Sequence, residues 1–246
     1  MRLKIWQASM NANIRQVWGV SVRGTAHAYY GLPNQDAFLI RKTQNGVTAV
    51  VADGLGSKPY ADVGAQQACR AAVRAIKTFE NRSDIAFSDL LMLIQSYWIS
   101  ALTAYPASKC SATCLFLYVT DTEITAARLG DGMICLLGKN VTDSVLLTDE
   151  KDDSFVNATD CLTSENMLSK WEVKKYERSL FTSAVICTDG IASDLQDGAH
   201  RDFVQELTTQ SLHKSVYKNR SDAKKWLTAW PVTGSGDDKT LIFMEL

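Results

Sequence analysis

The chain has 246 residues, 46% of them hydrophobic, and its 26 Lys and Arg residues nearly balance its 27 Asp and Glu residues, for a formal net charge of −1. This balance gives no reason to expect bulk binding to nucleic acid or to an anionic membrane. The first residues lack the apolar core of a secretory signal, and no stretch approaches the roughly 18 apolar residues that span a bilayer. A cytoplasmic location without membrane attachment is therefore expected.

The first half of the chain alternates short strands with longer helices. Patterns rich in Val, Ile and aromatic residues predict strands at residues 17–23, 37–41 and 47–52, and Asn45-Gly46 predicts a hairpin between the last two. Helical periodicity follows at residues 61–79 and 88–104, with Ser88 as a plausible N-cap of the second helix. Further strands are predicted at residues 112–120, 123–129 and 133–137.

The second half begins with a polar, acidic stretch at residues 148–170, which is predicted to be a loop. A further strand pair is predicted at residues 171–177 and 183–188, followed by helices at 201–212 and 222–230 and a last strand at 239–244. Ser221 is the expected N-cap of the second of these helices. Short turns between strands favour antiparallel pairing, and helices in pairs favour an α+β layered fold over a doubly wound sheet.

The cysteines and histidines give no sign of a zinc site. The six cysteines are scattered, form no C-x-x-C pair and mostly lie in apolar runs, which favours buried free thiols in a reducing compartment. The three histidines, His27, His200 and His213, have no H-E-x-x-H spacing.

An aspartate followed at once by a glycine ends three of the predicted strands, at Asp53, Asp131 and Asp189. Such a pair is often only a hairpin turn, and Asp131, with predicted strands on both sides, fits that interpretation. Asp53 and Asp189 lead into helical regions instead, and strand ends of this kind often present functional carboxylates.

Two more acidic positions stand directly before strands, Asp36 in N-Q-D-A-F and the pair Asp237-Asp238 in G-S-G-D-D-K-T. Carboxylates that converge in space repel one another unless a cation neutralises them. Oxygen-only ligand sets favour hard divalent ions such as Mg²⁺, Mn²⁺ or Ca²⁺. The sequence therefore predicts a divalent metal site built from Asp36, Asp53, Asp189 and Asp237.

In this order, the motifs resemble those of the metal-dependent protein phosphatases of type 2C, in a bacterial branch. The matching segments are N-Q-D-A at 34–37, V-A-D-G-L-G at 51–56, A-D-V-G-A at 61–65, G-D-G at 130–132, T-D-G at 188–190 and D-D-K-T at 237–240. The resemblance implies an α+β fold in which two antiparallel sheets form a central β-sandwich flanked by pairs of helices. It also implies that residues 1–246 form a single catalytic domain.

The resemblance implies two Mn²⁺ or Mg²⁺ ions in a cleft at one end of the sandwich. Asp53 would bridge both ions. Asp189 and Asp237 would hold the first ion, and Asp36, through water or beside the ion, would serve the second together with the carbonyl of Gly54.

Asp131 matches the position that helps to bind a third, weaker ion in bacterial relatives, and the hairpin turn remains the alternative. In the acidic stretch that follows, Asn157 and Asp160 are the residues that could approach the site. A solvated loop is the preferred interpretation of that stretch.

The sequence departs from the family at the groups that handle the phosphate. Many relatives carry an arginine a few residues before the first acidic motif, whereas residues 27–36 of this chain contain none. His27 is the candidate replacement, with Arg23 and Lys58 as others, and the alternative for His27 is an ordinary turn or partly buried residue. Leu55 replaces a histidine of many eukaryotic members, which leaves the leaving-group acid unassigned. Gln35 stands where glutamate is frequent and should weaken the second metal site.

The resemblance implies a phosphoserine/phosphothreonine protein phosphatase, in which a water or hydroxide between two metal ions attacks phosphorus in line. Asp53, Asp36 and His27 are then the expected catalytic residues. A phosphorylated protein and a partner kinase within a signalling system are the expected partners. The alternatives are a regulatory or binding module with little catalysis and a hydrolase of small phosphate esters, and the presence of all four aspartates favours an enzyme.

Overall fold

Two five-stranded antiparallel sheets form the centre of the fold in the computed structural model, which describes residues 14–82, 84–148, 159–163, 165, 167–196, 198–230 and 236–246. The first sheet contains, in spatial order, β1 (Gln16–Val22), β10 (Lys239–Glu245), β9 (Phe181–Cys187), β6 (Met133–Gly138) and β7 (Val145–Leu147). The second contains β2 (Asp36–Lys42), β3 (Gly46–Asp53), β4 (Cys114–Thr120), β5 (Glu123–Leu129) and β8 (Glu172–Glu177). The predicted sandwich of antiparallel sheets is confirmed.

Helices cover the outer face of each sheet. The helices are α1 (Thr25–Tyr29), α2 (Ala61–Glu80), α3 (Phe87–Ala101), α4 (Asp189–Ala192), α5 (His200–Ser211) and α6 (Val216–Thr228). Buried residues of α2 and α3 pack against the second sheet, and those of α5 and α6 pack against the first. A separate apolar cluster lies between the two sheets. The layers follow the order helix, sheet, sheet, helix, and the predicted α+β class is confirmed.

Strand β3 shows how one apolar run serves two cores. Ala49 and Val51 belong to the cluster between the sheets, whereas Val50 and Ala52 belong to the cluster that contains α2. Successive side chains of a strand point to opposite faces, so an uninterrupted apolar run fits a strand buried on both sides. The run ends at Asp53, which is only partly buried.

Two predicted turns are in fact crossovers between sheets. The predicted pairing of the strands at 171–177 and 183–188 is wrong, because β8 pairs with β5 while β9 lies between β10 and β6. The hairpin interpretation of Asp131 is also wrong, because β5 and β6 belong to different sheets. Gly130 and Gly132 flank Asp131 with φ of 90° and 126°, a region that suits glycine. They let the chain turn from one sheet to the other.

Both predicted helix N-caps are wrong. The N-cap of α3 is Ala86, whose N–H donates to the Asp89 carboxylate at 2.9 Å, so Ser88 lies inside the helix. Helix α6 begins at Val216, six residues before the predicted start, because Ser215 Oγ accepts the N–H of Lys218 at 3.3 Å. The first turns of α6 are polar, and for this reason the hydrophobic pattern does not reveal them.

The remaining predictions have mixed outcomes. All six cysteines are buried and free, as predicted. Helices α1 and α4 and strand β7 were not predicted, since each has five residues or fewer. Most of the predicted loop at 148–170, including Asn157, lies outside the described residues. Among the described helices, none is long and apolar enough to cross a membrane. The single domain over residues 1–246 stays a prediction.

Candidate metal centre

Four of the predicted aspartates converge at one end of the sandwich. In the second sheet, Asp36 at the start of β2 is paired directly with Asp53 at the end of β3. In the first sheet, β9 and β10 are antiparallel, so Asp189 after β9 lies beside Asp237 before β10. The charges of Asp36, Asp189 and Asp237 all act on Asp53. Each sheet therefore contributes two carboxylates, and Asp53 lies among the other three.

Asp36 is a partly buried carboxyl held across the two sheets. Thr188, which directly follows β9 of the first sheet, donates its hydroxyl to Asp36 Oδ2 at 2.8 Å. Burial raises the pKa of Asp36 to about 7, with the charge of Asp238 acting in the same direction and the hydroxyl groups of Thr240 and Thr188 acting against it. Near neutral pH, the group needs a nearby positive charge to be fully ionised.

Asp53 is the aspartate on which the charges of the other three act. Burial raises its pKa well above the usual range, and the neighbouring charges of Asp36, Asp189 and Asp237 raise it further. Its backbone is fixed by Thr113, whose Oγ1 accepts the Asp53 N–H at 2.9 Å. A set of oxygen donors that cannot all carry charge unaided is the environment expected for a hard divalent cation.

A further observation fits the same ions. The Oε1 atom of Gln35 is buried and has no hydrogen-bond partner among the described residues. It lies 3.7 Å from the place where a Cβ on Gly56 would stand, so it faces the turn that follows Asp53. An unpaired buried acceptor typically costs about 1–3 kcal/mol, and a metal ion or its water would satisfy it. The residues present therefore fit the implied metals.

Close backbone packing fixes the segments that carry these groups. A Cβ on Gly54 would lie 2.2 Å from the carbonyl oxygen of Ala61, and one on Gly190 would lie 2.0 Å from that of Asp238. Only glycine allows such approaches. Gly54 also donates its N–H to the Gln35 carbonyl at 3.1 Å, which joins the start of β2 to the end of β3.

Asp131 lies at the same end of the sandwich, two residues before Met133, which is paired with Cys187 at the end of β9. Thr159 Oγ1 donates to Asp131 Oδ2 at 2.6 Å, a contact that the sequence did not predict. Asp160 forms an ion pair with Lys170 at 3.3 Å. The described part of the acidic stretch thus packs onto this corner, and the third-ion role of Asp131 stays a prediction.

His27 lies on α1, which places its ring between Asp237 and Asp238. Its Nδ1 lies 2.7 Å from Asp238 Oδ2, and its Nε2 lies 3.7 Å from Asp237 Oδ1. Asp238 is a site residue for which the sequence predicted no role. It also accepts the N–H groups of Gly24 at 2.7 Å and Gln35 at 2.6 Å, and so it ties α1 to the start of β2.

The other two candidate phosphate donors differ in their surroundings. Arg23 is exposed, and its guanidinium donates to the carbonyl of Leu32 at 3.3 Å. Lys58 is half-buried in the turn after Asp53, and its backbone N–H donates to the carbonyl of Leu55 at 2.8 Å. Lys58 is therefore the cationic side chain on the segment that leaves the aspartate cluster.

The decisive observation is a match between this chain and a protein-family model. The model described as protein phosphatase 2C matches residues 23–230. The chain belongs to the protein phosphatase 2C family. This confirms the resemblance drawn from the motifs and the predicted enzyme class, a protein phosphatase. No curated protein sequence matches the chain at a significant level.

Solved structures of 2C phosphatases have the same fold at low sequence identity. The serine/threonine phosphatase Stp1 from Staphylococcus aureus is 14% identical, with a TM-score of 0.65 and 99% of each chain covered. The photosystem II phosphatase PBCP is 16% identical, with a TM-score of 0.65 over 94% of this chain and 98% of that chain. The catalytic domain of PstP, solved with two manganese ions, is 17% identical, with a TM-score of 0.58 over the same shares.

The raised pKa of Asp36 leads to a prediction for how the stability of the metal-free phosphatase depends on pH. Because burial raises this pKa from 3.8 to about 7, the folded protein holds a proton that the unfolded chain has lost. The stabilisation from Asp36 is full below about pH 4 and is lost as the pH rises through about 7, with a slope of at most about 1.4 kcal/mol per pH unit. Urea unfolding of chelator-stripped protein across this range should show that the Asp36→Asn variant lacks this component.

The matched control for that measurement is Asp202→Asn, because the Asp202 side chain is 82% exposed in α5, on the outer helical layer of the first sheet. Its pH dependence should follow the wild type. Identical slopes for wild type and Asp36→Asn would show that Asp36 titrates normally and would contradict the prediction.

The Thr188 hydroxyl should matter for metal affinity. Thr188→Val removes the O–H that fixes Asp36, and outer-shell partners of this kind are typically worth about 10–100-fold in metal affinity. Calorimetric titration with Mn²⁺ should show a loss of about 10-fold, whereas Thr188→Ser, which keeps the hydroxyl, should bind like the wild type. Equal affinities for the Val and Ser variants would refute the role.

Proposed function

We propose that this 2C phosphatase is a metal-dependent phosphoserine/phosphothreonine protein phosphatase that uses two divalent ions, Mn²⁺ or Mg²⁺. The observation that carries the proposal is the convergence on Asp53 of three further carboxylates, drawn from both sheets. A structural role alone would not favour this arrangement, because it places mutually repelling groups in a poorly solvated place.

The position of each carboxylate suggests its role. Asp53, which lies among the other three, would bridge the two ions. Asp189 and Asp237, which flank β9 and β10 of the first sheet, would hold one ion, and Asp36 and the carbonyl of Gly54 would serve the other. Asp131 would contribute to a third, weaker ion.

When bound, the ions would supply an activated water and neutralise the charge that develops on the phosphoryl oxygens. The residues of the chain supply the geometry. Thr188 holds the Asp36 carboxylate in place, and Thr113 fixes the backbone of Asp53. We assign the phosphate contact to Lys58, because the guanidinium of Arg23 already donates to the backbone carbonyl of Leu32.

We propose a phosphorylated protein as the substrate and a serine/threonine kinase as the counterpart in a cytoplasmic bacterial signalling system. The family and the neighbouring serine/threonine phosphatases support this class of substrate. The chain has an aspartate at each of the four principal positions proposed to hold metal, and this feature favours catalysis over a purely regulatory role.

Loss of Asp53 should abolish catalysis. Asp53→Asn removes the bridging charge, and we expect hydrolysis of para-nitrophenyl phosphate and of a phosphothreonine peptide to fall by at least about 1,000-fold, since a lost 4 kcal/mol of transition-state stabilisation corresponds to about that factor. The assay compares Mn²⁺ with EDTA. Asp202→Asn serves as the control and should keep wild-type turnover.

Three outcomes separate the possible functions. Metal-independent turnover, or full activity of Asp53→Asn, would refute the two-ion mechanism. A folded wild-type protein that binds Mn²⁺ but turns over neither substrate would favour a regulatory module. Turnover of the small ester without the peptide would point to a non-protein substrate.

A further inference from the structure

The short helix α1 holds the His27 ring rigidly against the start of β10. Ala26 donates its N–H to the carbonyl of Gly236 at 2.9 Å, and Gly24 donates to the Asp238 carboxylate at 2.7 Å. A Cβ on Gly24 would lie 2.3 Å from the carbonyl oxygen of Gly236, so the two backbones are in direct contact. The His27 side chain is 14% exposed. The backbone contacts thus fix α1, and the contact of 2.7 Å between Nδ1 and Asp238 Oδ2 fixes the ring.

The Asp238 carboxylate determines which ring nitrogen carries hydrogen. The side chain of Asp238 is 1% exposed. An ionised carboxylate only accepts hydrogen bonds, so the contact of 2.7 Å places the hydrogen of His27 on Nδ1. In the neutral ring, Nε2 then has a free lone pair. A carboxylate that orients the imidazole through the other nitrogen is the usual arrangement of metal-binding histidines.

The free nitrogen faces a carboxylate already assigned to a metal ion. Nε2 of His27 lies 3.7 Å from Oδ1 of Asp237. Two ligand atoms that are each about 2.1 Å from one cation lie between about 3.0 and 4.2 Å apart, for ligand angles between a right angle and a straight line. The observed separation falls within this interval. His27, Asp237 and Asp238 also form a compact group whose ligand atoms all lie within 4.8 Å of one another.

We propose that Nε2 of His27 is a ligand of the ion that Asp237 holds, so that the first metal site is a mixed nitrogen and oxygen site. This inference rests on the proposed function, because it adds a ligand to the same metal centre. The role differs from the phosphate donor expected for His27 from the sequence. An imidazole ligand moves the preference of a site from Mg²⁺ toward first-row transition ions, and we therefore expect Mn²⁺ to be preferred at the first site.

Pulsed electron paramagnetic resonance of the wild-type protein loaded with Mn²⁺ tests this directly. A nitrogen coupled to the manganese should be detected, and its signal should change when histidine is labelled with ¹⁵N. Since the chain has only three histidines, variants can assign the signal. The result does not require turnover and, being measured on the wild type, does not depend on whether a variant folds.

The variants His27→Asn and His213→Asn form a matched pair. His213 is exposed and has a φ of 63°, a conformation that asparagine adopts readily. His27→Asn should lose the nitrogen coupling and bind Mn²⁺ at least about 10-fold more weakly, with a smaller change for Mg²⁺. His213→Asn should keep both the coupling and the affinity.

The outcomes distinguish this inference from the proposed function. Wild-type protein that binds two Mn²⁺ ions without nitrogen coupling would overturn the ligand role of His27 and leave the phosphatase proposal standing. A coupling that persists in His27→Asn would overturn it as well. Failure of the wild type to bind Mn²⁺ at all would refute the metal centre itself, and with it both proposals.

Discussion

Repulsion among the carboxylates around Asp53 is the constraint on which the rest of this structure depends. The charges of Asp36, Asp189 and Asp237 all raise the pKa of Asp53, as expected for carboxylates that repel one another in a poorly solvated place. Hydrophobic burial in the sandwich must hold these groups together against that repulsion. The double-sided apolar packing of β3 and the pairing of Asp36 with Asp53 supply this rigidity.

Asp36 and Asp238, two acids at this end of the sandwich, are stabilised differently. Asp238 is surrounded by donors: the N–H groups of Gly24 and Gln35 and the ring of His27. Asp36 accepts the Thr188 hydroxyl at 2.8 Å, and its pKa still rises to about 7 because burial and the charge of Asp238 outweigh the hydroxyl groups near it. The difference identifies their tasks. Asp238 has three hydrogen-bond partners and positions other groups, whereas Asp36 retains a need for positive charge.

The sequence predicted local chemistry well and long-range pairing poorly. The D-G corners at Asp53 and Asp189 could be recognised because a helix, rather than a returning strand, follows each of them. The same reasoning failed at Asp131, because a glycine-flanked turn has the same local composition whether the chain returns to its own sheet or crosses to the other. The contact between His27 and Asp238 joins residues 211 positions apart, and no local pattern could reveal it. Helix α6 was predicted too short because its first turns carry few apolar residues.

The departures from the family can be explained together once each is assigned to one of the two proposed metal sites. In the proposed two-ion arrangement, the second site would contain Gln35, a neutral amide where relatives frequently have glutamate, and Asp36, whose Oδ2 already accepts the Thr188 hydroxyl. The first site would contain Asp189 and Asp237 and, under the ligand role inferred for it, the His27 ring oriented by Asp238. Ligand charge and ligand count set affinity in sites of this kind. The first ion should accordingly be the more tightly held. Under the proposed two-ion mechanism, the more weakly held second ion would then limit activity when metal is scarce, even with the proposed bridging residue Asp53 present.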